Sequence, residues 1–263
     1  MNALAKQASD LSNAVTSLVD KTTQSENAAR EAAKLHGQTS SNEVANSGKQ
    51  FSNTVVQDKA KLDDLMNNDA STADEINKAT AVLLGDEASE LVIHTSDQTV
   101  MALQKEMTTL VQTGTTVQIT ELTTKLKVAD STVIPSTLSD DPALKTAKQA
   151  IDDAIQGDKF DQDTLDAADK AYKKAVEDAE GALATAKEDA GKTVVKHGDD
   201  ANVTKMKAAV DAAIANGTKT AIATAVSNMK VADDTAEVPS TLSDDPALKT
   251  AKQAIDDAIQ GDK

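Results

Sequence analysis

The side chains with the most chemical potential are few. His36, His94 and His197 are the only imidazoles, and a histidine of ordinary pKa can bind a metal or move a proton near neutral pH. None has a second His or a Cys at ligand spacing, and no nucleophile motif accompanies them. Each reads as the end of a helix, where partial positive charge suits the dipole. Asp158, Asp161, Asp163 and Asp166 superficially resemble a calcium loop. Such a loop needs oxygens at alternate positions, a glycine at its sharp turn and a bidentate acid at its end. Asp161 and Asp163 would fill the first two places, but the glycine is missing, so helix capping is the simpler reading. The pairs Asp140–Asp141 and Asp244–Asp245 read the same way. Phe160 and Tyr172 could anchor a protein partner, yet burial in a core is the plainer use of both. The sequence therefore leads us to expect no catalytic, metal-binding or cofactor-binding residue and no cofactor. It identifies no ligand-binding residue.

Composition narrows what could hold such residues in place. Aromatics are 1% of the 263 residues, with no Trp. Aromatic rings supply the largest single burials in most cores and line most small-molecule pockets. A chain this poor in them must bury Ala, Val, Leu, Ile and Met in thin layers between helices. The formal charge of -16, from 43 acidic against 27 basic residues, repels phosphate backbones and anionic lipid. No nucleic-acid partner is expected. No apolar run approaches the length of a membrane span, so no membrane insertion is expected either. The first residues lack the layout of a signal peptide, and any export signal is expected to lie outside this segment. With no cysteine, disulfides, thiolate zinc sites and Cys nucleophiles are excluded together.

The strongest signal is repetition. Residues 135–159, PSTLSDDPALKTAKQAIDDAIQGDK, recur letter for letter at 239–263. Upstream the match continues at a spacing of 103, pairing His94 with His197, Asp97 with Asp200, Val100 with Val203, Gly114 with Gly217, Ile119 with Ile222 and Lys127 with Lys230. Further back, Leu62-Asp63-Asp64 echoes Ile151-Asp152-Asp153. Cut after GDK, the chain parses as a stretch at 1–69, a repeat unit at 70–159 and a second at 160–263. The first stretch reads as a helical hairpin and is open to reading as a diverged third copy. Repetition at a fixed period is how arrays and stalks are built.

Within the second unit, Asp161 and Asp163 are candidate N-caps. Leu165, Ala168, Tyr172, Ala175, Ala179, Ala182 and Ala186 then form one stripe of a long helix. It is expected to run to about Lys196, with a kink at Gly191. Val203, Met206, Val210 and Ala213 mark a second helix, stopped by Gly217 in a left-handed conformation. Ile222, Val226 and Met229 mark a third. Residues 231–244, with Pro239, read as an extended crossover. Asp245-Pro246 restarts a helix whose face is Leu248, Ala251, Ile255 and Ala258, stopped by Gly261. In the N-terminal stretch Leu4, Leu11 and Leu18 with Ala8 and Val15 repeat every seven residues. A break at His36-Gly37 is expected before a second helix carrying Val44, Phe51, Val55, Leu62 and Leu65. The fold class is thus all-α: elongated tandem antiparallel helical bundles, about three to four helices per repeat of roughly 100 residues, with Pro-containing extended crossovers.

Tandem Ala-, Lys-, Thr- and Asp-rich helical units, free of cysteine and joined by Pro/Thr/Ser connectors, resemble the repeat regions of cell-wall-anchored adhesins of Gram-positive bacteria such as lactobacilli and streptococci. The likeness covers the whole chain and is architectural and compositional. Aromatic-signature modules of the FIVAR type are only loosely similar, since their Tyr and Trp have no counterpart here. The resemblance implies an extracellular location, attachment to the cell wall through regions outside this sequence, and a role in adhesion or in projecting an adhesive tip. It implies no site residues. Three functions follow. The first is a non-enzymatic stalk or adhesin repeat, expected as a monomer. The second is a helical module gripping a host extracellular protein, mucin or glycan. The third is an intracellular coiled-coil scaffold whose partner is its own copy, which the breaks at Gly37, Gly114, Gly157, Gly198 and Gly217 disfavour.

Overall fold

The structure, a computed structural model, describes residues 2–157, 159–236 and 244–260. It is all-helical, with no strand among the described residues. Ten α-helices follow one another there: α1 Asn2–Asn46, α2 Asn53–Asn67, α3 Ala73–Leu91, α4 Gln98–Thr113, α5 Thr116–Ser131, α6 Pro142–Gln156, α7 Gln162–Gly191, α8 Ala201–Asn216, α9 Lys219–Ala236 and α10 Pro246–Gln260. They fall into two compact units, residues 1–131 and 132–263. These packing units and the repeats of the sequence are cut at different places, because a tandem repeat can be opened at any phase.

Local chemistry explains most helix starts. The Asp141 carboxylate accepts a hydrogen bond from the Leu144 amide at 2.9 Å, with Pro142 in the first turn. Asp97 accepts from Val100, and Asp200 from Asn202 and Val203. Thr72 and Glu75 close a reciprocal capping box at α3. At α7 the cap is Asp161, which accepts from the Asp163 amide and the Thr164 hydroxyl. Asp163 itself lies inside the first turn.

In the first unit α3 is the hub, packing against α1, α2, α4 and α5. One core cluster joins Ala33 and Val44 of α1, Val55, Leu62 and Met66 of α2, and Ile76, Ala79 and Leu83 of α3. The expected break at His36-Gly37 does not occur, for α1 runs through it to Asn46. A Cβ on Gly37 would stand 2.9 Å from the Met66 sulfur and 3.2 Å from Leu62 Cδ1. This glycine admits close neighbours instead of ending a helix. The chain turns later, at Gly48 (φ 68°). Val44 therefore belongs to α1 and Phe51 to the connection.

In the second unit α7 packs against α6, α8 and α9. Its seam is the expected one: Leu165, Tyr172 and Ala179 are buried, with Leu183 and Ala190 joining them. It ends at Gly191 rather than kinking there. Its 30 residues make a rod of about 45 Å. The expected extended crossover is corrected in part. α9 continues to Ala236, and 237–243 and Gly261 lie outside the described residues. The matching stretch of the first copy holds a short 3-10 turn, Ser136–Leu138, with Leu138 buried.

Gly114 and Gly217 end α4 and α8 as expected, but not in the left-handed conformation. Both are extended, at φ -75° and -85°. A Cβ on either would crowd the preceding turn, 2.7 Å from the Leu110 carbonyl oxygen in one case and 2.6 Å from that of Ala213 in the other. Glycine is needed for room.

The structure also shows the phase of the repeat. α2, α6 and α10 are each 15 residues long. Val55, Leu62 and Met66 of α2 occupy the places of Leu144, Ile151 and Ile155 of α6, and all six are buried. The ion pair Lys59–Asp63 recurs as Lys148–Asp152. The order α2–α3–α4–α5 thus returns as α6–α7–α8–α9, and α10 begins the series again.

Candidate functional site

An open groove of about 1310 Å³ lies in the first unit, walled by α2, α3 and α4. Its chemistry is a carboxyl pair. Asp58 reaches in from α2 and Asp86 from α3, with Glu90 one turn further on. Burial, then the Asp58 carboxyl and the Glu90 charge, push Asp86 up to about 7. Near neutrality Asp86 is therefore partly protonated and can donate a hydrogen bond to Asp58. Asp58 Oδ2 is buried and has no other hydrogen-bond partner among the described residues. Glu90 Oε1 is used otherwise, accepting from the Ser52 amide at 2.7 Å. A carboxyl titrating near 7 is the right kind of group for general acid catalysis. Two of the polar side chains that line the groove are engaged elsewhere: Lys78 donates to the Gly114 carbonyl, and Glu75 closes the α3 capping box. Chemically the pair is a proton-sharing seam between α2 and α3. At the matching places in the second unit stand Ala147 and Ala175.

Two of the histidines belong to a second, duplicated arrangement. In the first unit Asp130, at the end of α5, accepts from the amides of Ile93 and His94 at 3.2 and 2.9 Å, and lies 3.1 Å from His94 Nδ1. In the second, Asp233 of α9 accepts from the amides of Lys196 and His197 at 3.0 and 2.8 Å, and lies 3.2 Å from His197 Nδ1. The amide bonds and the imidazole hold the Asp233 carboxyl below the usual carboxylate range. Each aspartate clasps the chain where it leaves the long helix, and so ties α3 to α5 or α7 to α9. An aspartate on imidazole Nδ1 is also the orienting half of an acid–base pair. Each ring meets its aspartate through Nδ1. His94 and His197 thus sit beyond helix ends, as expected, but a side-chain partner holds them. His36 does not; it lies exposed within α1.

The sequence carries a signal for Asp130 and Asp233. They fall in the same 103-residue register as the two histidines, among the positions that match between copies. Asp58 and Asp86 gave no such signal, being acidic residues on two helices whose pairing the sequence does not state.

Asp161 caps α7, and Asp166 accepts from Gln162 at 2.7 Å one turn along the same helix. Asp158 lies outside the described residues. Asp140 accepts from the Thr220 amide at 2.8 Å, and Asp141 caps α6. Asp245 caps α10 through the amides of Ala247 and Leu248. No group of three or more His, Cys, Asp or Glu that could hold a metal ion occurs among the described residues. Tyr172 is buried in the α7 seam, which pushes its phenol up to about 12. Phe160 is half-buried. No described helix is long and apolar enough to cross a membrane.

Compared with known proteins, the chain matches no family model, no curated protein and no solved structure.

Proposed function

We propose that this chain is a repeat segment of a bacterial cell-surface adhesin, a non-enzymatic stalk that spaces or presents adhesive parts of a larger protein. The observation that carries the reading is the return of α2–α3–α4–α5 as α6–α7–α8–α9, followed by α10 as the first helix of a further round. A repeat whose buried seams are mostly aliphatic side chains can be added or removed without rebuilding a reaction centre, which suits a spacer. The acidic surface, with a formal charge of -16, favours an extracellular role over one on nucleic acid or anionic lipid.

The test is to display the chain on a bacterial surface beneath a reporter domain, with and without residues 132–235. A spacer predicts that deletion brings the reporter measurably nearer the wall while adhesion stays the same. Saturable capture of mucin, plasma or matrix protein by the isolated chain would favour the binding-module reading instead.

A further inference from the structure

Among the described residues, nothing covers the first half of α1. From Leu4 to Ala29 every side chain is exposed, and the apolar ones are no exception: Leu4 is 75% exposed, Leu11 66%, Val15 52% and Leu18 66%. They are not scattered. Leu4, Leu11 and Leu18 fall on one seven-residue repeat, Ala8, Val15 and Thr22 on the interleaved one. Together they form the alternating three- and four-residue seam of a coiled coil. This seam continues an interface that already exists. About five full turns separate Val15 from Ala33, and Val19 from Gly37. Ala33 and Gly37 are among the α1 positions buried against α2 and α3. The face covered in the second half of the helix is bare in the first.

We infer that the first half of α1 pairs with the same segment of a second copy as a parallel two-stranded coiled coil, in place of the monomer expected from the sequence. Three features select that occupant over others. Leu recurs in one core layer and β-branched Val15 and Thr22 stand in the other, the arrangement that favours two parallel strands. The charges of this segment keep off the seam: Lys6, Asp10 and Asp20 all lie on the far side of the helix. The first two charged residues to flank it are Lys21 and Glu26. In a parallel, in-register pair, Lys21 of each copy lies beside Glu26 of the other, twice over. In an antiparallel pair this complementarity is lost.

The experiment uses the full chain. Sedimentation at tens of micromolar is expected to give a dimer that weakens at least tenfold in Leu11→Asp/Leu18→Asp, with the helix content of the packed units unchanged. Because the chain has no cysteine, Val15→Cys supplies a single thiol, and across a parallel seam the two thiols face each other within disulfide reach. Oxidation should therefore cross-link the dimer. Lys21→Glu should weaken it, and Lys21→Glu/Glu26→Lys should restore it. A monomer at every concentration would overturn the inference. So would a dimer indifferent to the two aspartates, a Val15→Cys dimer that resists cross-linking, or open-ended growth with concentration, which would mean a head-to-tail contact through another surface.

Discussion

Helices α6 and α10 are the same fifteen residues, PALKTAKQAIDDAIQ, in two surroundings. In α6, Leu144 and Ile151 are fully buried; in α10 their counterparts Leu248 and Ile255 are 37% and 38% exposed. Sequence, helix length and capping aspartate are shared, so none of these decides burial. The difference is α7, which follows α6 and covers its apolar face. An amphipathic helix of this repeat states that it will be covered, and the next helix along determines whether it is.

The largest effect should come from breaking that contrast directly. Leu144→Ala empties a fully buried site and should cost about 3 kcal/mol. Leu248→Ala, at a site already open to water, should cost under about 1 kcal/mol. Denaturant titration of the two variants measures the difference. Equal losses would mean that α10 finds cover in solution.

The seam α7 makes with α6 recurs as the seam α3 makes with α2, and there the comparison can be sharpened by pH. Ala147 and Ala175 in the one are Asp58 and Asp86 in the other. The folded protein holds the Asp86 proton up to about pH 7, whereas the unfolded chain releases it near 3.8. Between these values the folded state binds more protons, so its stability rises as pH falls from 7 towards 4. Allowing for the water on the open side of the groove, the gain should be roughly 2 kcal/mol. Asp86→Asn should abolish it in thermal melts taken across that range. A wild-type unit that loses stability on the same descent would refute the shared proton. Asp233 has the opposite sign. Its pKa is lowered on folding, so its contribution is present above the unfolded value and is lost as pH falls through the folded one. Asp233→Ala leaves the Lys196 and His197 amides without their acceptor and should lower the stability of the second unit at neutral pH. Hydrogen exchange at those two amides should accelerate with it.

Much of the fold could be read before the structure. The caps at Asp141, Asp161 and Asp245, the seam from Leu165 to Ala179 and the helix ends at Gly114 and Gly217 are local matters, decided within a turn or two. What stayed hidden depends on neighbours distant in sequence. Gly37 looks like a stop until Met66 and Leu62 are seen against it. The Asp58–Asp86 pair exists only because α2 lies on α3. The clasps are an intermediate case: Asp130 is 36 residues from His94, and Asp233 as far from His197. The shared spacing was visible, but its meaning was not.

The smallest effect tests whether α10 is a helix in its own right. Asp141 and Asp245 make the same cap on identical helices. Removing an N-cap aspartate typically costs about 1 kcal/mol of helix stability. At Asp141 that loss should appear in the unfolding of the whole second unit, because α6 is locked into the core by Leu144, Ile151 and Ile155. At Asp245 it should stay local: Asp245→Ala should fray α10 and speed amide exchange at Leu248 and Lys249, and shift the unit's midpoint by a few tenths of a kcal/mol at most. The same chemical loss would then be read by two observables, one global and one local. Should Asp245→Ala lower the global midpoint as much as Asp141→Ala, α10 would be as firmly integrated as its twin, and the contrast between them would rest on exposure alone.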